Sequence, residues 1–170
     1  MLIDVTQIPP EGLHIALPEA ELDLGDSPGI WEGPAMVRAT LHVGRSGRGL
    51  LIDGTYAGGV SLVCGRCLEP FPFAAEDRFD LYCEVDLPGQ RGDDRALRPE
   101  ELDVTCLEGG RLDTDLLLRE NLLLSLPVQP LCGTDCLGLC PQCGANLNQG
   151  PCGCGVTPTD PRLQALRKLL

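Results

Sequence analysis

Six of the ten cysteines in this chain fall between residues 132 and 154, at Cys132, Cys136, Cys140, Cys143, Cys152 and Cys154, separated by glycine, proline and asparagine. Two more, in Cys64-Gly65-Arg66-Cys67, lie far upstream. Any fold for this sequence has to explain what holds those thiols.

Compartment decides how they are read. No basic residue precedes Arg38, so the N-terminus lacks both the charged and the apolar region of a signal peptide. No apolar run is long enough to cross a membrane. The chain therefore reads as cytoplasmic, where thiols stay reduced and clustered cysteines are metal ligands or redox groups before they are disulfides.

Structural zinc takes four soft ligands in a tetrahedron, usually as pairs from tight turns. Cys140-Pro141-Gln142-Cys143-Gly144 has the form of a zinc knuckle, its glycine letting the backbone fold back beneath the sulfurs. Cys152-Gly153-Cys154 can supply a second pair, with a tighter spacer. Cys64-Gly65-Arg66-Cys67 is another knuckle, with Cys132 and Cys136 as its natural partners. The first partition is thus Cys64, Cys67, Cys132, Cys136 and Cys140, Cys143, Cys152, Cys154. The alternative joins Cys132 and Cys136 to Cys140 and Cys143, and spacing leaves it open, along with the number of sites occupied. Reduced four-cysteine sites most often hold zinc, so one or two structural Zn²⁺ ions are expected. A site tying Cys64 to Cys136 would close a long loop, where a cross-link constrains the unfolded chain most.

Rival chemistries find less support. A redox pair would place its first cysteine at a helix N-terminus, but Leu68-Glu69-Pro70-Phe71-Pro72 follows Cys67 and is no helix start. Catalytic zinc keeps an open position, often beside histidine. The two histidines, His14 and His42, read as solvent-facing strand positions. No phosphate loop, nucleophile and base, or dinucleotide fingerprint is present, so a non-enzyme with no small-molecule substrate is expected. Cys83 and Cys106 continue the apolar phase of their strands and read as small buried hydrophobes.

Around the cysteines the chain reads as β-rich. Val37, Ala39, Leu41 and Val43 alternate with polar residues, as do Phe79, Leu81, Cys83 and Val85. Leu50 to Tyr56 and Val60 to Cys64 read as two further strands, and Leu102 to Leu107 as one more. Residues 86–101 read as a mobile surface loop, rich in proline, glycine and charge. Asp113 caps a helix to about Ser125, and Pro127 stops it. Its leucines project on nearly every side, which predicts a helix buried or covered by a partner, with Glu120 partly buried in an ion pair or cap. Asp160-Pro161 starts a short amphipathic tail helix. The fold class expected is α+β: a curled antiparallel β-sheet or partial barrel with one buried helix, and a cysteine-rich zinc-binding arm ending in a short helix. A body over residues 1–127 would carry an arm over 128–170 packed on it.

Charge restricts the partners. The net charge is −12; residues 1–37 carry seven acids and no base, and residues 76–120 fourteen acids against six arginines. A general polyanion-binding surface is disfavoured by Coulomb repulsion. RNA contact would have to be local, on the cysteine-bearing face, with Arg66, Arg45 and Arg48 as candidates for phosphate. The acidic flanks would suit a basic protein partner instead.

Cys64-Gly65-Arg66-Cys67-Leu68-Glu69-Pro70-Phe71 resembles a segment of the YceD-like family, the large ribosomal RNA subunit accumulation proteins. So do Glu120 with Leu122-Leu123-Leu124-Ser125-Leu126-Pro127, and the tail from Cys132 through Gly138-Leu139-Cys140-Pro141, Cys143-Gly144, Asn146-Leu147-Asn148, Cys152 and Cys154 to Asp160-Pro161-Arg162. The similarity runs in register from about residue 35 onward. It implies a bacterial cytosolic factor needed for synthesis, processing or accumulation of large-subunit rRNA, with that rRNA or its precursor, or a ribosomal or processing protein, as partner. It also implies that the tail knuckle is accessory and structural.

Overall fold

A computed structural model describes residues 1–26, 29–47, 49–85 and 104–155. Among them, seven strands form two sheets beside one α-helix. Strands β2 (Leu13–Leu22), β3 (Trp31–Ser46), β4 (Gly49–Val63), β5 (Pro70–Val85) and β6 (Val104–Leu107) make a five-stranded sheet in that order. Strands β1 (Leu2–Asp4) and β7 (Arg111–Asp113) pair antiparallel as a second sheet. Helix α1 (Thr114–Ser125) follows β7 directly.

Alternation sets the core. Val37, Ala39, Leu41 and Val43 of β3 are buried, as are Ile52, Tyr56, Val60 and Leu62 of β4 and Ala75, Phe79 and Cys83 of β5. Leu117, Leu118 and Leu122 of α1 join the same cluster, and the Tyr56 hydroxyl donates to the Asn121 carbonyl at 3.2 Å. Asp113 caps the helix, accepting from the Asp115 and Leu116 N–H groups at 3.0 and 3.4 Å.

The structure departs from the sequence reading in four places. Leu50–Tyr56 and Val60–Cys64 are not separate strands, since β4 runs unbroken through Gly58 and Gly59. A Cβ at Gly58 would lie 2.7 Å from the Met36 carbonyl oxygen and 2.9 Å from Val37 Cγ2. Glycine there permits close approach of β3 rather than a turn. Strand β5 begins at Pro70, nine residues before Phe79. Among the described residues β6 pairs only with Tyr82–Val85 and leaves the other side of β5 as an edge from Pro70 to Leu81, where prolines are tolerated. The sheet is not wholly antiparallel either, since β5 and β6 pair parallel. Alternation reveals a strand but not its direction, and the separation from Val85 to Val104 is long enough for the crossover that a parallel pair needs.

Among the described residues the sheet is open, with β2 and β6 at its edges. Helix α1, finally, is buried on one face only. Leu116 and Leu124 are 51% and 84% exposed, and Glu120, one turn from each, is exposed rather than partly buried. Residues 86–103, most of which were read as a surface loop, and the tail helix expected from Asp160 lie outside the described residues. So does the side chain of Cys106. No described helix is long and apolar enough to cross a membrane.

Candidate metal centre

Strand β4 delivers Cys64 at its end, and the chain turns back at once into β5. Within the turn the Leu68 N–H donates to the Cys64 carbonyl at 2.9 Å, and the Cys64 N–H to that of Glu69 at 3.0 Å. The arm meets this turn through the Gly65 N–H, which donates to Pro130 O at 2.8 Å, and through the Leu139 N–H, which donates to Arg66 O at 3.1 Å. Cys132 and Cys136 thereby reach Cys64 and Cys67. All four Sγ atoms lie within 4.8 Å of one another. Cys64 and Cys136 sulfurs are 3.8 Å apart, and those of Cys67 and Cys132 3.7 Å. Four thiolates about 2.3 Å from one zinc in a tetrahedron stand ~3.8 Å apart, so the cluster has the dimensions of a site and not of disulfides. Cys64, Cys67 and Cys136 are buried; Cys132 is exposed.

The second group, Cys140, Cys143, Cys152 and Cys154, is also mutually within 4.8 Å and more open, with only Cys140 buried. Its knuckle repeats the first: Gly144 N–H donates to Cys140 O at 2.9 Å, and Cys140 N–H to Ala145 O at 2.8 Å. Gly144 has φ +72, as this fold-back requires; its counterpart Leu68 has φ +60, the one positive φ outside glycine among the described residues. A leucine there carries the strain of the left-handed region while its side chain stays 62% exposed.

The electrostatics match the donor chemistry. Burial opposes ionisation of Cys64 most strongly, but N–H donors of Cys67, Cys132 and Arg66 and the Cys67 thiol together outweigh it and bring the thiol down to about 6. N–H groups of Cys143 and Gln142 do the same for Cys140, also to about 6. The Asn148 amide leads in holding Cys136 low. Conversely, Cys132 is pushed up to about 12, chiefly by the Cys136, Cys67 and Cys64 thiols, and Cys154 to about 12, chiefly by Cys143. One sulfur of each tetrad ionises easily and another resists, because like charges share a small volume. A divalent cation among them reverses that resistance, so both donor sets fit one.

The basic candidates fare differently. Arg66 is exposed, and its Nη1 donates to Thr134 O at 3.4 Å and Cys136 O at 3.1 Å. It braces the arm, and no carboxylate among the described residues pairs with it. Arg45 is also exposed, but its guanidinium is engaged, with Nε donating to Ile8 O at 3.1 Å and Nη2 to Val5 O and Thr6 O at 3.3 Å each. It clamps the turn after β1, which leaves it less free to meet a phosphate. Arg48 lies outside the described residues.

Two features escaped the sequence reading. His14 and His42 stand opposite each other on β2 and β3 with rings stacked at 4.3 Å, and His42 Nδ1 is 3.1 Å from Asp53 Oδ1. Alternation places both on one face, but only register makes them partners. Asn148 contacts the Cys136 sulfur from the loop of the other tetrad, with Nδ2 to Sγ at 3.3 Å. No spacing rule announces such a contact.

The model of the YceD family, described as large ribosomal RNA subunit accumulation protein YceD, matches residues 52–170. Uncharacterized proteins of Mycobacterium bovis and of two Mycobacterium tuberculosis strains, CDC 1551 and H37Rv, are each 31% identical over 137 residues, 80% of this chain. The match spans 63% of those relatives' length. No solved structure matches this chain.

Proposed function

The chain belongs to the YceD family of large ribosomal RNA subunit accumulation proteins, and from that premise we propose that it is a non-catalytic factor supporting synthesis, processing or accumulation of large-subunit rRNA. It touches the RNA locally, through a surface held by two structural Zn²⁺ sites. Cys64, Cys67, Cys132 and Cys136 would hold one ion, and Cys140, Cys143, Cys152 and Cys154 the other. When bound, the ions supply cross-links and neutralise thiolate charge. The body over residues 1–127 and the arm over 128–170 work as one cytoplasmic unit.

The observation that carries this reading is the position of Arg66. It sits between the two ligands of a knuckle, its backbone and Nη1 tie down the arm, and Nε and Nη2 have no protein acceptor among the described residues. A guanidinium has five donors in a fixed fork suited to phosphate. Arg45, clamped on three carbonyls, is the weaker phosphate candidate, and Arg48 rests on its sequence position alone. In-cell ultraviolet crosslinking with sequencing of the attached RNA tests the reading. A sharp peak on precursor large-subunit rRNA is expected, reduced by Arg66→Lys in a chain that keeps its metal. No enrichment over a control protein, with rRNA still lost on depletion, would overturn direct contact.

That second outcome would favour an acidic adaptor that recruits a ribosomal protein or processing enzyme. One observation speaks for it: exposed Leu116 and Leu124 border a groove of about 500 Å³ whose walls include Leu81, Leu107, Leu112 and Glu120. Salt-sensitive binding to a basic ribosomal protein, lost on Leu124→Asp, is then the expected result.

A further inference from the structure

Asn148 lies on the short 3-10 turn Leu147–Gln149, inside the loop that joins the Cys140–Cys143 knuckle to Cys152. Its side chain leaves that site and reaches the other. Nδ2 points at Cys136 Sγ at 3.3 Å, while Oδ1 accepts the Leu137 N–H at 2.8 Å. The amide cannot be flipped without setting an oxygen against the sulfur and N–H against N–H, so the network fixes its orientation. The turn is itself held in place by the Asn148 N–H on Asn146 Oδ1 at 3.0 Å, by Leu147 N–H on Gly138 O at 2.9 Å, and by the Leu139–Asn146 bridge.

We infer that Asn148 couples the two cysteine tetrads: closing the Cys140, Cys143, Cys152, Cys154 site positions an amide donor on Cys136 and so raises metal affinity at the Cys64, Cys67, Cys132, Cys136 site. This rests on the metal reading above. The chemistry is that of an outer-shell donor. An N–H aimed at a metal-bound thiolate spreads its charge and orients it, and removing such a partner typically costs about 10–100-fold in affinity. The donor here belongs to a loop that the second metal organises. With the second site open, that loop keeps only its bonds to Gly138, Leu139 and Asn146, so the amide is held less firmly, and linkage makes the effect reciprocal. Asn148 is a positioning residue and not a ligand.

A four-protein cycle tests this on the full chain. Wild type, Asn148→Ala, a variant with its second site disabled (Cys140→Ser with Cys143→Ser), and the combination are titrated with Co²⁺ against a competing chelator. Thiolate-to-cobalt absorption is the readout. Asn148→Ala should weaken the Cys64, Cys67, Cys132, Cys136 site about 10–100-fold and, because the coupling is reciprocal, weaken the other site by the same factor once the first is filled. Disabling the second site should weaken the first by a similar factor, and Asn148→Ala should add little on top. Asn148→Asp separates donor from scaffold: it keeps the acceptor for Leu137 N–H but brings an anion to the sulfur, so it should weaken the site at least as much as Asn148→Ala. Wild-type affinity in Asn148→Asp, or factors that simply multiply in the combination, overturns the coupling. A wild-type chain that takes up no metal overturns the metal reading itself, which is a separate result.

Discussion

Gly138 is the residue on which docking of the arm can be tested by degrees. Its φ is +72, and an added methyl would stand 3.1 Å from the Arg66 carbonyl oxygen and 3.4 Å from Arg66 Cβ. That same carbonyl accepts the Leu139 N–H at 3.1 Å, joining arm to knuckle. Gly138→Ala therefore incurs about 1–2 kcal/mol for a left-handed residue and, as the crowded carbonyl shifts, about 0.5–1.5 kcal/mol of hydrogen bonding. The sum is about 1.5–3.5 kcal/mol, or about 10–300-fold in the opening equilibrium. Two other glycines calibrate it. Gly144 shares φ +72, yet a Cβ there meets nothing within 4 Å, so Gly144→Ala should cost only the about 1–2 kcal/mol of backbone strain. Gly133 has neither a positive φ nor a neighbour within 4 Å; Gly133→Ala should be neutral, or stabilising by about 0.4–1 kcal/mol through the unfolded chain. Hydrogen exchange of the Leu139 and Cys140 amides in metal-loaded protein reads the order. Gly138→Ala behaving like Gly133→Ala would refute the reasoning.

Three further outcomes follow from the same geometry. Leu122 is fully buried under the sheet and Leu124 is 84% exposed, so Leu122→Ala should cost about 2–5 kcal/mol and Leu124→Ala under about 0.5 kcal/mol in urea titration; equal costs would contradict the half-buried helix. None of the eight clustered cysteines belongs to the main core cluster. Chelation under reducing conditions should therefore speed exchange across residues 130–154 and leave β3, β4 and β5 protected, whereas global loss of protection would contradict a body that folds without the arm. With metal removed, the stability of the arm and knuckle against opening should also depend on pH. Unfolded thiols at the ordinary 9.0 still hold protons that Cys64 and Cys140 have released at about 6, so stability should rise from pH 6 to 9. Above 9 the unfolded chain has lost protons that Cys132 and Cys154 keep to about 12, and stability should fall. A decline between pH 6 and 9 would contradict the arrangement.

What could be read from the sequence was local. A C-x-x-C turn closes on itself, so both knuckles were legible from spacing, and the α1 cap and stop from Asp113 and Pro127. The rest depends on partners far along the chain. Gly58-Gly59 looks like punctuation until Met36 is found against it. The path of β6 depends on a connection that alternation does not describe. Leucines all round α1 suggested a helix buried or covered by a partner; packed against one face of a sheet, it buries only the side it presents, which leaves Leu116, Glu120 and Leu124 in solvent. Arg45 read as a phosphate candidate because its carbonyl acceptors lie in another segment, at Val5, Thr6 and Ile8. Which distant pair of cysteines meets which was open for the same reason. The sulfurs of Cys132 and Cys136 stand beside Cys67 and Cys64 because Pro130 and Leu139 bond to the first knuckle.

The most direct test of the account is to count metal ions on the intact protein by native mass spectrometry, after purification without added metal. Two zinc ions per chain are predicted, falling to one in Cys67→Ser and to one in Cys143→Ser. A chain that carries no metal with all thiols reduced, or a single ion lost in both variants, would contradict two separate metal-built sites.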